Sequence, residues 1–398
     1  MSRGRPLSNR LAEVRESFWL IPSVYAVGAV VAATGLSVVE LRLDLPIEGV
    51  LPGGPAGARS LLSSIITAMI SFTALVFSIT VVALQLASSQ YSPRVLRTFL
   101  QDRVIQSALG TFVATFLFAM VVLAALPARG GDRLPELSLA VAVSLVLAST
   151  GMFIYYLHHI TTVMRVSHII SSIGAQTRRT IDRNVPAEGD GTQPVVLGEV
   201  VQIVPAPDPG MVTEIDLGPL ARLAREHNCA AVVVPTPGDF VVAGAPLLHM
   251  HRVPGDTPRP VPAGHAARYV TTGVERTPGQ DVGFGFRQLT DIAQRALSPA
   301  LNDVTTAVRA LQEAHDLLRH LATRPAAPQV VRDEDGIVRA RVDRLPYDAY
   351  LAMIVDDVRA TAGSQPRITR LLDAIVADLD TAALPTHRPA IRRRLPDR

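Results

Sequence analysis

Four stretches of the chain, 17–39, 60–93, 104–128 and 137–164, contain no Asp, Glu, Lys or Arg. Each reaches or passes the roughly 20 residues that an α-helix needs to cross a bilayer core about 30 Å thick. Inside lipid the backbone must satisfy its own hydrogen bonds, so such runs have few options other than helices. Four in succession predict a bundle of about four transmembrane helices, near 18–40, 60–90, 104–128 and 137–162. The first run is too long for a signal-peptide core and no small-residue cleavage pattern follows it, so it reads as a retained helix.

Charge returns after about residue 165, and 398 residues leave room for a water-soluble domain. The chain has no lysine, so all 38 basic residues are arginine. That excludes a phosphate-loop lysine, a Schiff base and a lysine-borne biotin or lipoate. Cys229 is the single cysteine, which excludes an internal disulfide, a zinc–thiolate cluster and a CxxC redox pair. A net charge of +3 with no long basic run before the tail gives no sign of a nucleic-acid partner.

Arginine placement sets the expected topology. Arg3, Arg5, Arg10 and Arg15 precede the first span, Arg94, Arg97 and Arg103 lie between the second and third, and Arg165, Arg178, Arg179 and Arg183 follow the fourth. The other two loops carry Arg42, Arg59, Arg129 and Arg133 beside acidic residues. The positive-inside bias then puts both termini in the cytoplasm. The second helix, running to Gln90, is longer than a bilayer core is thick, and 94–102 reads as an interfacial amphipathic helix.

The expected organisation is a transmembrane domain over 1–165, a helical stalk and linker over 166–186, a β-rich subdomain over 187–275, a helical subdomain over 276–385 and a basic, disordered tail over 386–398. The stalk is expected to continue the fourth span as one helix, with Val166, Ile170, Ile173 and Ile181 in an apolar stripe. Strand patterns fall at 195–204, 211–217, 230–234, 240–250 and 269–274, and a short helix at 219–227. Helical patterns follow at 284–297, 299–322, 347–361 and 368–383. Asp335-Gly336 marks a hairpin within 330–342. The fold class is thus a multi-pass α-helical membrane domain plus a cytoplasmic α+β domain with a small β-barrel or sandwich-like part.

Two constellations stand out. On the second helix Ser64, Ser71, Ser78 and Gln85 recur every seven residues, with Thr67 on nearly the same face, and Thr73 and Thr80 form a second row. The first row suits a pore lining, or a close helix contact, where small hydroxylated residues are common. The spans hold no ionisable residue deep inside, which counts against a proton-coupled carrier and not against a passive pore. The second constellation is Arg276, Arg287, Asp291, Ser298, Asn302 and Asp303, a candidate anion or partner site. There Ser298 would cap and Pro299 would start a helix. His158-His159 sits too far around a helix to chelate one ion. His249 and His251 share a strand face without a third ligand, so no metal and no cofactor are expected.

Pro209-Gly-Met-Val212 and Gly238-Asp-Phe-Val-Val-Ala-Gly-Ala-Pro-Leu247 resemble the turns of biotinyl/lipoyl-like barrel-sandwich domains, although their carrier lysine has no counterpart here. A wider resemblance covers nearly the whole chain. Phe77-Ser-Ile-Thr-Val-Val-Ala-Leu-Gln-Leu-Ala-Ser-Ser-Gln-Tyr-Ser-Pro-Arg94, Tyr156-Leu-His-His-Ile160, Val166-Ser-His-Ile-Ile170, Glu275-Arg-Thr277 and Arg287-Gln-Leu-Thr-Asp-Ile-Ala293 through Asp303 resemble the bacterial membrane-protein family catalogued as domain of unknown function 2254. The resemblance implies a membrane protein and supplies no activity.

The expectation is therefore a non-enzymatic protein of the lipid bilayer, a homo-oligomer forming a passive channel-like path regulated by its cytoplasmic domain. A membrane sensor or scaffold without conduction is the alternative, and a small anionic ligand the expected small-molecule partner.

Overall fold

The computed structural model describes residues 19–42, 54–90, 102–126, 136–163, 165–187, 197–325, 327–363 and 365–396. The expected amphipathic helix at 94–102, most of both outer loops, the N-terminal arginines and most of the linker after 187 lie outside the described residues. The chain divides into two compact units, Met1–Arg165 and Val166–Arg398.

Among the described residues of the first unit, four helices are long and apolar enough to cross a membrane. They are α1 (Leu20–Arg42), α2 (Gly54–Gln90), α3 (Arg103–Ala125) and α4 (Glu136–Val163). The chain is a multi-pass membrane protein. α3 is the hub, packing on α1, α2 and α4. Gly110 on α3 lets α1 come close, since a Cβ there would stand 3.0 Å from the Tyr25 ring. Phe72, Phe112 and Phe153 join α2, α3 and α4 in one aromatic cluster, the Phe72–Phe153 centroids 5.0 Å apart.

Hydrogen bonds fix the helices' rotation. Thr80 on α2 meets the Tyr156 hydroxyl of α4 at 2.9 Å, and Tyr156 also donates to the Val76 carbonyl at 3.2 Å. Thr115 and Ser149 join α3 to α4 at 2.9 Å. The Glu40 carboxylate at the end of α1 accepts from both the amide and the hydroxyl of Ser138, capping the start of α4. Asp102 caps α3 through the Val104 amide and meets His159 Nε2 at 2.7 Å, so His159 holds an interhelical contact.

The second unit begins with α5 (Val166–Asn184). α4 ends at Val163 and Arg165 lies in a bend, so the expected single helix through 161–181 is two helices. Of the expected apolar stripe Ile170, Ile173 and Ile181 are buried, joined by Ile169, whereas Val166 is only half-buried; the helix packs on α8 (Val282–Ala296) and α9 (Val304–Ala322). The strands are β1 (Val200–Pro205), β2 (Gly210–Ile215), β3 (Cys229–Val233), β4 (Phe240–Val241), β5 (Pro246–Arg252), β6 (Val270–Gly273), β7 (Gln329–Arg332) and β8 (Val338–Val342). The run expected at 240–250 is split because Gly244, at φ 82°, turns the chain between β4 and β5.

The strands form two open sheets, ordered β1-β5-β3-β8-β7 and β4-β2-β6, so no barrel closes. All pairs are antiparallel except β3 with β8. Val204, Leu248 and Ala231 of one sheet and Val212, Ile215 and Val241 of the other enter a single core with α6 (Leu217–Glu226), and the short α7 (Ala263–Ala267) closes its edge. The β7–β8 hairpin turns at Gly336, φ 78°, around Asp333, whose carboxylate accepts from the Asp335 and Ile337 amides.

The helical layer ends with α10 (Tyr347–Leu351), a π turn (Ala352–Asp356), α11 (Asp357–Ala362), α12 (Pro366–Ala382) and α13 (Arg388–Arg392). The expected disordered tail is ordered through Pro396. Arg394 pairs with Asp348 and Asp356, Arg393 with Asp348, and Arg392 with Asp380.

Candidate functional site

The Gly238-Asp239 turn carries the site's first wall. Asp239 accepts from the Thr236 amide at 2.7 Å and hydroxyl at 2.8 Å, closing the turn on itself. The Gly238 amide donates to the Val212 carbonyl, and Val212 donates to the Asp239 carbonyl, which staples the turn to β2. Gly238 sits at φ 94°, and a Cβ on it would lie 2.2 Å from Asp281 Oδ2 and 2.6 Å from Arg276 Nη2. Only glycine fits both the backbone and the space.

Beneath the turn is a bidentate ion pair, Arg276 Nε to Asp281 Oδ2 at 2.6 Å and Nη2 to Oδ1 at 2.9 Å. Asp281 is also the N-cap of α8, accepting from the Phe284 amide at 3.0 Å. Burial pushes the Asp281 carboxyl up from its ordinary value, and the Arg276 guanidinium pulls it back toward the charged form. Gln280 extends β2 by a side chain: its amide donates to the Ile215 carbonyl at 3.1 Å and its oxygen accepts from the Ile215 amide at 2.9 Å.

These groups border a cavity of about 160 Å³, whose other walls come from Asn184, Arg344 and Tyr350. Arg344 donates to the Ala327 carbonyl and, at 2.6 Å, to the Asn184 carbonyl at the end of α5. Burial lowers its affinity for its proton. Tyr350 is 5% exposed and its ring lies 5.0 Å from Phe286, while burial pushes its phenol up. Stretches of chain far apart in sequence thus meet at one polar hollow.

Of the residues singled out in the sequence, Arg276 is at this cavity. Arg287 pairs with Asp357 of α11 at 3.0 Å, and Asp291 lies half-buried one turn further along α8. Ser298, Asn302 and Asp303 occupy the turn at the other end of α8, about 22 Å away along a 15-residue helix. The six do not converge. Ser298 caps nothing: its carbonyl accepts from the Asn302 amide at 2.9 Å, Asn302 takes φ 46°, and α9 starts at Val304. Asp303 is the cap, accepting from the Thr306 amide and hydroxyl, which hold its carboxyl below the usual aspartate range. Arg344, Tyr350, Gln280 and Asp281 carried no local pattern. The one signal for them was the glycine turn beside the Glu275-Arg-Thr277 motif.

On α2, Ser64, Thr67, Ser71, Ser78 and Gln85 are all exposed in the single chain, whereas Thr80 of the second row is buried in the helix contact. Ser64, Thr67 and Ser71 donate to carbonyls four residues earlier, at 2.8, 3.0 and 3.0 Å. His249 and His251 lie with ring centroids 6.4 Å apart on β5, and His251 Nδ1 is 2.9 Å from the Gly198 carbonyl. No group of three or more His, Cys, Asp or Glu able to hold a metal occurs among the described residues.

Comparison with known proteins places this architecture. Residues 15–378 match the family model described as "Predicted membrane protein (DUF2254)". The chain is 30% identical over 389 residues to Uncharacterized protein Rv1290c of Mycobacterium tuberculosis, covering 95% of this chain and 74% of that protein. The same identity and coverage hold for Uncharacterized protein Mb1321c of Mycobacterium bovis. No solved structure matches the chain. A family match running from before the first span to α12 makes the chain a member of the DUF2254 family of membrane proteins.

Proposed function

We propose that the protein is a non-enzymatic homo-oligomer of the bacterial plasma membrane, in which α2 helices of neighbouring copies border a passive, channel-like path. The soluble unit lies in the cytoplasm with both termini, as the arginine distribution favours, and regulates that path.

The observation that carries this reading is the rotation of α2. Its Thr80 is spent on a contact within the bundle, while Ser64, Thr67, Ser71, Ser78 and Gln85 face away from the chain's own core. A polar row that long gains nothing from lipid; water or a second copy suits it better. The back-bonded hydroxyls also favour a second reading, a dry contact between copies of a sensor or scaffold, because their donors are already satisfied within α2.

Substituting Ser71→Leu separates the two. In a pore it lowers solute or ion flux in reconstituted vesicles with the oligomer intact, because a bulky apolar side chain dewets a constriction. In a dry contact it lowers oligomer yield. Cysteines at positions 64, 71, 78 and 85 that resist small water-soluble reagents in an intact assembly would rule out the path.

A further inference from the structure

Among the described residues, the cavity has one cation without a counter-ion and one hydroxyl without a hydrogen-bond partner. Arg344 spends its two terminal nitrogens on backbone carbonyls, and among the described residues it forms no ion pair. The carboxylates around it are committed elsewhere: Asp281 to Arg276, Asp343 to Arg341, and Asp239 to the Thr236 amide. A guanidinium has five N–H donors, so Arg344 keeps donors in reserve. Tyr350 is 5% exposed, borders the same cavity, and its hydroxyl makes no hydrogen bond to any described residue.

Space and partners agree. A water needs about 10–15 Å³ of a cavity measured this way, and this one offers about 160 Å³. Val282 and Gly283, in the first turn of the 15-residue α8, line it too, and amides in a first turn have no carbonyl within their own helix.

We propose that this cavity is a binding site for a small oxyanion, carrying a carboxylate or phosphate group that takes a charge-assisted bond from Arg344 and a hydrogen bond from the Tyr350 hydroxyl. The Arg276–Asp281 pair is neutral as a unit and forms the wall. Arg344 also holds the last carbonyl of α5, the helix that follows the fourth span in the chain, so an anion drawing on Arg344 reaches the C-terminal end of that helix. Only this regulatory consequence rests on the channel reading; the binding does not.

The test uses the full-length protein in detergent or nanodiscs, with inorganic phosphate and succinate as probes and chloride at matched ionic strength as control. Calorimetry is expected to show saturable binding of at least one probe with a matching rise in melting temperature. Tyr350→Phe is expected to weaken that binding by about tenfold or more, the worth of a hydrogen bond to a charged group. Its unliganded melting temperature should stay level or rise, since the lost hydroxyl had no partner. Arg344→Gln should abolish binding; should that variant fail to fold, Tyr350→Phe still decides. No saturable response beyond chloride, or equal affinity in Tyr350→Phe, overturns the site. Binding retained in a protein that carries no flux leaves the site standing and removes the channel alone.

Discussion

The close approach of α5 to α8 in the second unit sets up a sharp prediction at Gly285. A Cβ added there would lie 1.7 Å from Thr177 Oγ1, 2.8 Å from Thr177 Cβ and 2.9 Å from its Cγ2. Rotating Thr177 exchanges its Oγ1 and Cγ2 but leaves its Cβ where it is, and its hydroxyl already donates to the Ile173 carbonyl at 2.7 Å. The α5–α8 contact must therefore open. Overpacking costs about 1–3 kcal/mol, and a clash with a whole side chain belongs near the top of that range. Alanine's helix propensity returns up to about 1 kcal/mol against glycine. Gly285→Ala should thus cost about 2 kcal/mol, equivalent to a roughly 30-fold rise in local opening. Hydrogen exchange by mass spectrometry on the full-length protein reads this directly, as lost protection in 166–184 and 282–296. Adding Thr177→Ala removes two of the three clashing atoms but keeps the Cβ at 2.8 Å, so it should recover part of the loss, giving a positive coupling. Gly218→Ala, where nothing lies within 4 Å, is the control and should be neutral or slightly stabilising. Unchanged exchange in Gly285→Ala, or no rescue by Thr177→Ala, would refute the reasoning.

Burial pushes the Cys229 thiol up to about 11, so only about one molecule in a thousand carries the thiolate at pH 8; maleimide should label the folded protein far more slowly than the denatured chain, and equal rates would contradict its burial. Asp182, Asp348 and Asp378 are held below the ordinary aspartate value of 3.8, by His320, Arg394 and Arg319 respectively. Their stabilisation is therefore complete above that value and is lost as pH falls through their lowered folded-state values, whereas Asp281, raised by burial, runs the other way. Exchange measured from pH 6 downward should show 388–396 keeping its protection until the pH has fallen below 3.8 and losing it as Asp348 then releases Arg393 and Arg394, whereas Asp348→Asn should show that loss already at pH 6.

Features that local chemistry dictates were legible. Four charge-free runs gave four helices, and Asp335-Gly336 gave a hairpin, because each follows from one stretch of chain meeting one solvent. Features set by a distant partner were not. Ser298-Pro299 has the look of a helix start, yet Asn302 takes a left-handed turn and Asp303 caps instead, with the Asn302 amide oxygen accepting from Gln365 far along the chain. Arg392–Arg394 looks like a free basic tail until Asp348, Asp356 and Asp380 are brought beside it. Heptad spacing exposed two polar rows on α2, but only packing chose Thr80 for the bundle. Arg344 and Tyr350 are ordinary residues in sequence, and that Arg344 meets two carbonyls rather than a carboxylate beside Tyr350 exists only in three dimensions.

The one parallel pairing among the described residues, Ala231 of β3 against Ala340 of β8, imposes an order on biosynthesis. A ribosome releases β3 long before β8, so β3 must wait with one edge bare while α8 and α9 are made, and a bare strand edge invites wrong pairing. The nascent chain is already tethered to the bilayer by its spans at that moment, which keeps neighbouring unfinished copies from meeting freely in solution. Any truncation ending before Val342 leaves that edge permanently open, so aggregation, rather than a smaller folded product, is its expected fate.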